Sequence, residues 1–228
     1  MKRVNLVTLF LAGIIGVSGV AHAASVSDSF DRDVPVQTSA SSPNLIGTNY
    51  TIVSGNWSCS NAAPGYLRVE NGGMMIDTSL QAINVGVTNF TLSAKILLET
   101  TTPYRAGGLI FNYQDSGHYY VCRFWANGFQ FIKQVNTAST GMDNNLTLNL
   151  ATQAYYTLSI SSSGSTFNYS LSDSGGTIVY SNSVTDTTYS DGYAGFFQGP
   201  NPGAVRFDDY SLKVRKDPKI NLIMYSSP

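Results

Sequence analysis

The sequence predicts an all-β fold, a two-sheet antiparallel β-sandwich of the jelly-roll type. Three observations favour it. Apolar and polar residues alternate in short runs rich in Val, Ile, Thr, Tyr and Phe; clusters of Gly, Asn, Asp and Ser separate these runs; and a helical period is almost absent. Many short strands joined by such turns are typical of sandwiches closed by hairpins.

The N-terminus predicts a secretory signal peptide over residues 1–23. Lys2 and Arg3 precede an uncharged apolar run from Val4 to Val20, and Ala21-His22-Ala23 is an A-x-A cleavage site. The alternative is a transmembrane anchor, but a run of about 17 residues ending in small side chains favours a cleaved signal. We therefore expect a secreted or periplasmic protein with no membrane span after signal cleavage.

The remaining chain is predicted to be one domain over residues 24–214, followed by a C-terminal tail over 215–228. Removal of Lys2 and Arg3 from the 13 basic residues leaves 11 against 14 acidic ones, so the mature net charge is −3. Because no basic tract survives, we expect no nucleic acid partner and consider anionic membranes poor partners.

The turn chemistry assigns the strand boundaries. Asn71-Gly72-Gly73 is predicted to be a hairpin turn between strands at Tyr66–Glu70 and Met74–Asp77, because these residues tolerate positive φ angles. The first short strand is expected at Ser27–Phe30. The segment Val34–Thr48, rich in Pro, Ser and Asn, is expected to be a surface loop.

The two cysteines, Cys59 and Cys122, leave two interpretations open. An even pair in an oxidising compartment predicts a disulfide. The other interpretation is two buried thiols, because free Cys packs as a small hydrophobic residue.

The segment 106–136 carries a family resemblance. Gly107-Gly108-Leu109-Ile110-Phe111 leads to Tyr119-Tyr120-Val121-Cys122-Arg123, and the next strand has Lys133 near its end. This pattern resembles the central strands of the concanavalin A-like lectin/glucanase superfamily, in particular its laminin-G-like (jelly-roll) domains. Landmarks at Asp28–Asp31 and Val205–Leu212 extend the resemblance over residues 26–214. The superfamily contains lectins, carbohydrate-binding modules, adhesion modules, glycosidases and polysaccharide lyases, so the fold leaves function open.

Familiar catalytic groups are missing from the mature sequence. His118 is its single histidine, which excludes a zinc site built on two histidines, and it lies too near Asp115 and Ser116 for an ordinary catalytic triad. Glu70 and Glu99 are the two glutamates, and we expect both to be solvated strand ends rather than the paired carboxylates of a retaining glycosidase. The sequence favours a protein without catalysis but does not decide the question.

Two alternatives remain. A polysaccharide lyase or glycoside hydrolase of jelly-roll fold is one, and a lyase could draw its base and its uronate-neutralising groups from a set of six residues: Arg105, Asn112, His118, Tyr119, Arg123 and Lys133. The other is a structural protein of the envelope or matrix.

The leading hypothesis is a secreted, non-catalytic carbohydrate-binding or adhesion module whose partner is a polysaccharide or glycan. Strand alternation puts one set of polar and aromatic side chains on a face away from the core, where aromatic rings stack on sugars and amides or guanidinium groups bind hydroxyls and carboxylates. The predicted ligand-binding residues are Arg105, Asn112, Tyr119, Arg123, Trp125 and Gln130. An ordinary half-buried sheet face is the alternative.

The resemblance also implies a calcium site. The first and last strands of such sandwiches commonly lie together, and many relatives bind Ca²⁺ near them. Four carboxylates would then supply hard oxygen ligands: Asp28, Asp31, Asp208 and Asp209. The alternative is that these carboxylates only protect sheet edges.

Overall fold

A computed structural model describes residues 23–41, 45–47, 49–78, 89–99, 106–200 and 203–215. The all-β prediction is confirmed. The strands are β1 (Ala23–Asp28), β2 (Val34–Gln37), β3 (Tyr50–Ser60), β4 (Tyr66–Asp77), β5 (Asn89–Leu98), β6 (Gly107–Asp115), β7 (His118–Trp125), β8 (Gly128–Val135), β9 (Ala138–Asn145), β10 (Tyr155–Ser163), β11 (Thr166–Ser172), β12 (Ile178–Thr185), β13 (Tyr193–Gln198) and β14 (Ala204–Arg215).

All pairings are antiparallel, and two sheets diverge from one shared ribbon, β3–β4. The first sheet runs β12-β11-β10-β5-β14, with β1 also paired to β14. The second sheet runs β13-β6-β7-β8-β9. Along one edge of β4, residues 67–70 pair with β14, and residues 73–77 pair with β13. The same strand therefore belongs to both sheets of the sandwich.

Glycines allow β4 to pass from one sheet to the other. Gly72 has a φ of 83°, and Gly55 on the facing strand β3 has a φ of 87°. A Cβ on Gly55 would lie 2.6 Å from the carbonyl oxygen of Gly72 and 2.7 Å from the Cα of Gly73, so a side chain cannot be accommodated there. The predicted hairpin turn at Asn71-Gly72-Gly73 is wrong, because the backbone here bends within a continuous strand.

A buried glutamine holds this crossing in place. The Gln198 side chain is 2% exposed at the end of β13. Its Oε1 accepts from the backbone N–H of Gly72 at 3.2 Å, and its Nε2 donates to the carbonyl of Gly203 at 2.7 Å. Both amide atoms are thus used between β4, β13 and the start of β14, which fixes the point where the sheets separate.

Aromatic side chains fill the space between the sheets. Phe111, Tyr120 and Phe131 point inward from three adjacent strands of the second sheet and surround Phe167 of β11 in the first. The Phe167 ring centroid lies 5.3, 5.0 and 5.9 Å from theirs. All four side chains are at most 1% exposed. Rings at these distances add about 0.5–1.5 kcal/mol per pair beyond the area that they bury.

Tyrosine hydroxyls also bond carboxylates between strands of different sheets. Tyr169 and Tyr180, on β11 and β12, both donate to Asp143 Oδ2 on β9, each at 2.6 Å. Tyr210 on β14 donates to Asp77 Oδ2 on β4 at 3.1 Å. A buried tyrosine needs a partner for its hydroxyl group, and each of these carboxylates supplies it.

Asp186, just after β12, is a further carboxylate that joins the two sheets. It accepts from the Tyr120 hydroxyl at 2.5 Å, from Lys133 Nζ at 2.6 Å and from the backbone N–H of Thr188 at 2.8 Å. Burial acts to raise the pKa of Asp186, but the hydrogen bonds from Lys133, Thr188 and Tyr120 outweigh it and hold the pKa well below its usual value.

The structure revises the expectations for the N-terminal segment and for the two cysteines. Val34–Thr48 is not entirely a loop, because β2 pairs with β3. Cys59 on β3 and Cys122 on β7 are buried free thiols. The structure therefore agrees with the interpretation as two buried thiols, and the predicted disulfide is absent. Burial raises the pKa of Cys59 to about 11 and also raises that of Cys122. The first strand begins at Ala23 rather than Ser27 and, as expected, lies beside the last strand.

The signal peptide 1–23 falls, but for Ala23, outside the described residues, and so does the tail beyond Arg215. In the part of the chain that the structure describes, no helix is long and apolar enough to cross a bilayer.

We predict that Phe167→Ala lowers the free energy of unfolding by about 3–5 kcal/mol, because it leaves a cavity among the packed rings. Asn168→Ala is the matched control: it is the next residue on β11, exposed on the opposite face, and should change stability by less than about 0.5 kcal/mol. Urea denaturation followed by circular dichroism measures both. Equal losses would contradict the assigned inward and outward faces of β11.

We predict that Asp186→Asn costs about 1.5–3 kcal/mol of stability at neutral pH, where the native carboxylate accepts charge-assisted hydrogen bonds. Because the folded-state pKa lies below the unfolded value, this contribution is present above about pH 4 and is lost as the pH falls further. The difference between wild type and variant should therefore shrink in acid. Asp191→Asn serves as control, since among the described residues its carboxylate accepts a single long hydrogen bond, from the Gln114 amide at 3.5 Å. A difference independent of pH would contradict the assignment.

Candidate ligand-binding face

The candidate site lies on the outer face of the second sheet, turned away from the core. Alternation along β7 separates its side chains as predicted: Tyr120, Cys122 and Phe124 belong to the main core. The opposite face carries Tyr119, Val121, Arg123 and Trp125. Paired residues of adjacent strands point to the same side of the sheet. The outward residues of neighbouring strands therefore bring charged, amide and aromatic groups together on this outer face.

Five residues form one straight line across this face, which we call the cross-strand row: Phe197, Gly108, Arg123, Gln130 and Asn144. Each is the direct partner of the next in the strand register, from β13 through β6, β7 and β8 to β9. Neighbouring strands lie about 4.8 Å apart, so the row extends over about 19 Å.

Hydrogen bonds connect the polar members of the row. Arg123 donates from Nε and Nη2 to the Oε1 of Gln130, at 3.1 and 2.7 Å. Gln130 then donates from Nε2 to Asn144 Oδ1 at 2.8 Å. The Arg123 guanidinium carbon is 5.9 Å from the centroid of the Phe197 ring. None of these four side chains is fully buried, so the row is ordered and still partly open.

Gly108 makes room in the middle of the row. A Cβ there would lie 2.2 Å from the Cys122 carbonyl oxygen and 2.9 Å from the Arg123 Cβ. The absence of a side chain lets Arg123 lean across β6 toward Phe197. The glycine is therefore part of the site, although it carries no functional group.

An apolar cluster separate from the main core lies beside the row on the same face. Its buried members are Ile76, Ile110, Tyr113, Tyr119, Val121 and Ile132. The rings of Tyr113 and Tyr119 are stacked, with centroids 6.0 Å apart and planes 25° apart. Phe197 and Tyr193, partly buried, pack against this cluster. The row thus borders a buried apolar cluster.

The structure places the predicted ligand-binding residues unequally. Arg123 and Gln130 lie in the cross-strand row. Tyr119 and Trp125 share its face but are each 8% exposed. The Trp125 ring covers Gly128, where a Cβ would come within 2.3 Å of it. Arg105 lies outside the described residues.

The prediction that Asn112 lies on the exposed face is wrong. Its backbone has a φ of 47°, at a break in the register between β6 and its neighbours. The side chain is 6% exposed and donates from Nδ2 to the carbonyl of Tyr189 at 2.7 Å. This bulge also turns Tyr113, which simple alternation assigned to the core, into the outer cluster.

The guanidinium of Arg123 has an unusual electrostatic setting. Burial lowers its pKa, and interaction with Tyr119 only partly opposes this effect. An arginine nevertheless stays protonated at neutral pH. The site therefore carries one fixed positive charge in a partly dehydrated environment.

The outer face of the first sheet has a different character. Six serines follow one another in the strand register across six strands: Ser27, Ser211, Ser93, Ser159, Ser170 and Ser181. Beside them, hydroxyl and amide side chains line a shallow trough of about 540 Å³. This hydroxyl face is a competing surface for a polar ligand, but it has neither an aromatic ring nor a charge in the serine line.

The four carboxylates predicted for calcium do not share one cluster. Asp28 accepts two bonds from Arg32 at 2.8 and 2.7 Å. Asp209 pairs with Lys95 at 2.6 Å. Asp208 accepts from the backbone N–H of Asp209, and Asp31 accepts from the Ser29 hydroxyl group. Within the described ranges no three His, Cys, Asp or Glu side chains are arranged to hold a metal ion. The side chains thus do not fit the shared site, and calcium binding stays a prediction.

The groups considered for catalysis are dispersed. Glu99 is not a free, solvated strand end: Arg68 donates to both its oxygens at 3.0 Å, and Arg206 also bonds it. Glu70 pairs with the same Arg68. His118 bonds Asp115 at the β6–β7 turn. Lys133 points inward to Asp186, on the opposite face of the sheet from Arg123, so the set suggested for a lyase does not converge.

Comparison with known proteins supports the fold. No protein-family model matches the chain, and no curated protein sequence matches it. Among solved structures, the carbohydrate-binding module CBM66 from Bacillus subtilis aligns with a TM-score of 0.52 and 19% identity, covering 73% of this chain and 94% of that one.

Two further structures broaden the comparison. Winged bean acidic lectin, solved with methyl-α-D-galactose, aligns with a TM-score of 0.56 and 10% identity over 86% of this chain and 100% of the lectin. A xylan β-1,4-xylosidase from Bacillus halodurans aligns with a TM-score of 0.54 and 12% identity over 83% of this chain, but 39% of the enzyme. At these identities the likenesses show a β-sandwich fold and nothing finer.

Three members of the row were missed from the sequence: Phe197, Gly108 and Asn144. Phe197 and Asn144 are far from Arg123 along the chain, and only the strand register makes them neighbours. The Gly107-Gly108 pair was a usable signal, because glycine inside a strand often marks a close approach of another group.

We predict that Gly108→Ala destabilises the fold by about 1–3 kcal/mol, because the added methyl group would overlap the Cys122 carbonyl. At Gly175 the nearest atom to an added Cβ is the Asp173 Oδ1, at 3.3 Å. Gly175→Ala should therefore change stability by less than about 0.5 kcal/mol. Thermal and chemical denaturation measure both variants, and an unchanged Gly108→Ala protein would show that β6 and β7 are not packed this closely.

Proposed function

We propose that this chain is a secreted, non-catalytic carbohydrate-binding module of the concanavalin A-like superfamily, with a laminin-G-like, lectin-like sandwich. The observation that carries the proposal is the cross-strand row, in which an aromatic ring, a guanidinium group and two amides lie on one line. Sugars present both apolar C–H faces and hydroxyl groups, and this combination of side chains can bind both.

The row offers each kind of contact in a fixed place. Phe197 supplies a ring against which a sugar face can stack. Gln130 and Asn144 supply amide donors and acceptors for hydroxyl groups, and Arg123 supplies charged donors. Because these side chains already bond one another, a ligand loses less entropy in ordering them than it would with free side chains.

The shape of the row favours a chain of sugars over a single sugar. It spans five strands, or about 19 Å. An extended oligosaccharide lying across the strands would contact all its members at once. Such an extended row suits adhesion to a polymer.

Export and fold support the same reading. The charged and apolar pattern of the N-terminus supports secretion, and a secreted protein meets polysaccharides outside the cytoplasm. The carbohydrate-binding module and the lectin with which the sandwich aligns are relatives in fold at low identity. They support glycan binding as a function, but the identity of the ligand has to be inferred from the side chains of the site.

The mature protein should bind at least one member of a panel of neutral and acidic polysaccharides, measured by calorimetry with and without Ca²⁺. Phe197→Ala should weaken that binding about threefold to tenfold, because the stacking ring is lost. Asn144→Ala, at the far end of the row, should also weaken it. Ser159→Ala and Ser181→Ala, on the hydroxyl face, are the matched controls and should bind as wild type does.

Three outcomes would overturn parts of this proposal. Binding to no polysaccharide in either condition would refute glycan binding. Weakening by the two serine variants alone would move the site to the first sheet. Release of reducing ends or of unsaturated uronates from the same polymers would show that the protein is an enzyme.

A further inference from the structure

Arg123 differs from most of the basic side chains that the structure describes. Five others each pair with a carboxylate within the protein: Arg32, Arg68, Lys95, Lys133 and Arg206. Arg123 makes no ion pair with any residue in the described part of the chain, although it is one of the less exposed cations. Its contacts are the neutral amide of Gln130 and the ring of Phe197.

The neutral partners fix the guanidinium but do not balance its charge. Both bonds to Gln130 end on the same oxygen, Oε1, from Nε and Nη2. Nη1 has no acceptor among the described residues of the protein. One edge of the guanidinium is therefore held in position, and Nη1 keeps donor capacity that no described residue uses.

A partly dehydrated cation is costly unless an anion or hydrogen-bond acceptors compensate it. The remaining members of the row are Phe197, Gly108, Gln130 and Asn144, so the row contains no acidic side chain that could do this. A carboxylate matches the planar donor fork of arginine and can accept two parallel hydrogen bonds. The charge of the site is thus complementary to an anionic ligand group.

We infer that Arg123 binds the carboxylate of a hexuronic acid residue in an acidic polysaccharide, while Gln130 and Asn144 bind neighbouring hydroxyl groups. The inference rests on the proposed function and makes its ligand class specific. The mature chain has a net charge of −3, so general electrostatic attraction does not draw it to a polyanion. Recognition of the carboxylate must come from the local cation.

The test compares each acidic polymer with its own carboxyl-reduced form. Polygalacturonate, alginate and hyaluronate are titrated into the mature protein by calorimetry, followed by the same polymers with carboxyl groups reduced to primary alcohols. We expect at least one acidic polymer to bind about tenfold or more tightly than its reduced form. This comparison uses wild-type protein, so it does not depend on how any variant folds.

Variants assign the effect to Arg123. Arg123→Met should abolish the preference for the acidic form, and Arg123→Lys should keep part of it, because charge remains but the planar fork is lost. Lys213→Met removes an exposed lysine on the outer face of the first sheet and should keep the full preference. Circular dichroism confirms that each variant is folded.

The outcomes separate this inference from the proposed function. Equal binding of acidic and reduced polymers, or binding to neutral polysaccharides alone, would overturn the carboxylate role and leave glycan binding intact. A preference that Lys213→Met removes and Arg123→Met retains would place the carboxylate on the wrong face and also overturn it. Binding to no polymer at all would overturn both proposals.

Discussion

The sandwich depends on the ribbon formed by β3 and β4, which both sheets share. Close contact between Gly55 and the Gly72-Gly73 pair lets β4 leave one sheet and enter the other without ending. Gln198 then fixes the separation point through two backbone groups. Because β13 is aligned on the second half of β4, this crossing also sets the register of the whole second sheet. The position of Phe197 opposite Gly108, and hence the line of the cross-strand row, follows from it.

The second constraint is the unequal chemistry of the two faces of one sheet. Inward side chains of β6, β7 and β8 are aromatic and interlock with Phe167, which holds these strands rigidly. Their outward side chains carry the apolar cluster and the polar row. This packed inner layer supports the strands that carry Arg123 and Gln130, so these side chains are positioned by strands and not by loops. The carboxylate partners that neutralise other cations are all placed elsewhere, and the row retains its single charge.

Sequence reasoning recovered what depends on local pattern. Alternation gave the β-sandwich and correctly divided β7 between core and outer face. It failed at Asn112, where a bulge shifts the alternation by one residue, and at Asn71-Gly72-Gly73, where turn-forming residues bend a strand instead of ending it. Asn144 and Phe197 could not be found, because their proximity to Arg123 arises from pairing between strands distant in sequence. The four aspartates illustrate the reverse case: they have suitable chemistry, but Arg32 and Lys95 already occupy two of them.

Asp143 has a consequence beyond packing. It lies on β9, the last strand of the second sheet, and accepts the hydroxyl groups of Tyr169 and Tyr180, the latter on β12, the last strand of the first. One carboxylate thus connects, through hydrogen bonds, the two sheet edges that are farthest from the β3–β4 ribbon. Unpaired edge strands are templates for association with other chains, and the exposed Ile178 and Val179 make β12 a particular hazard. By holding β9 and β12 against each other, Asp143 keeps the sandwich closed at the side opposite the ribbon and counters the association to which the β12 edge is exposed.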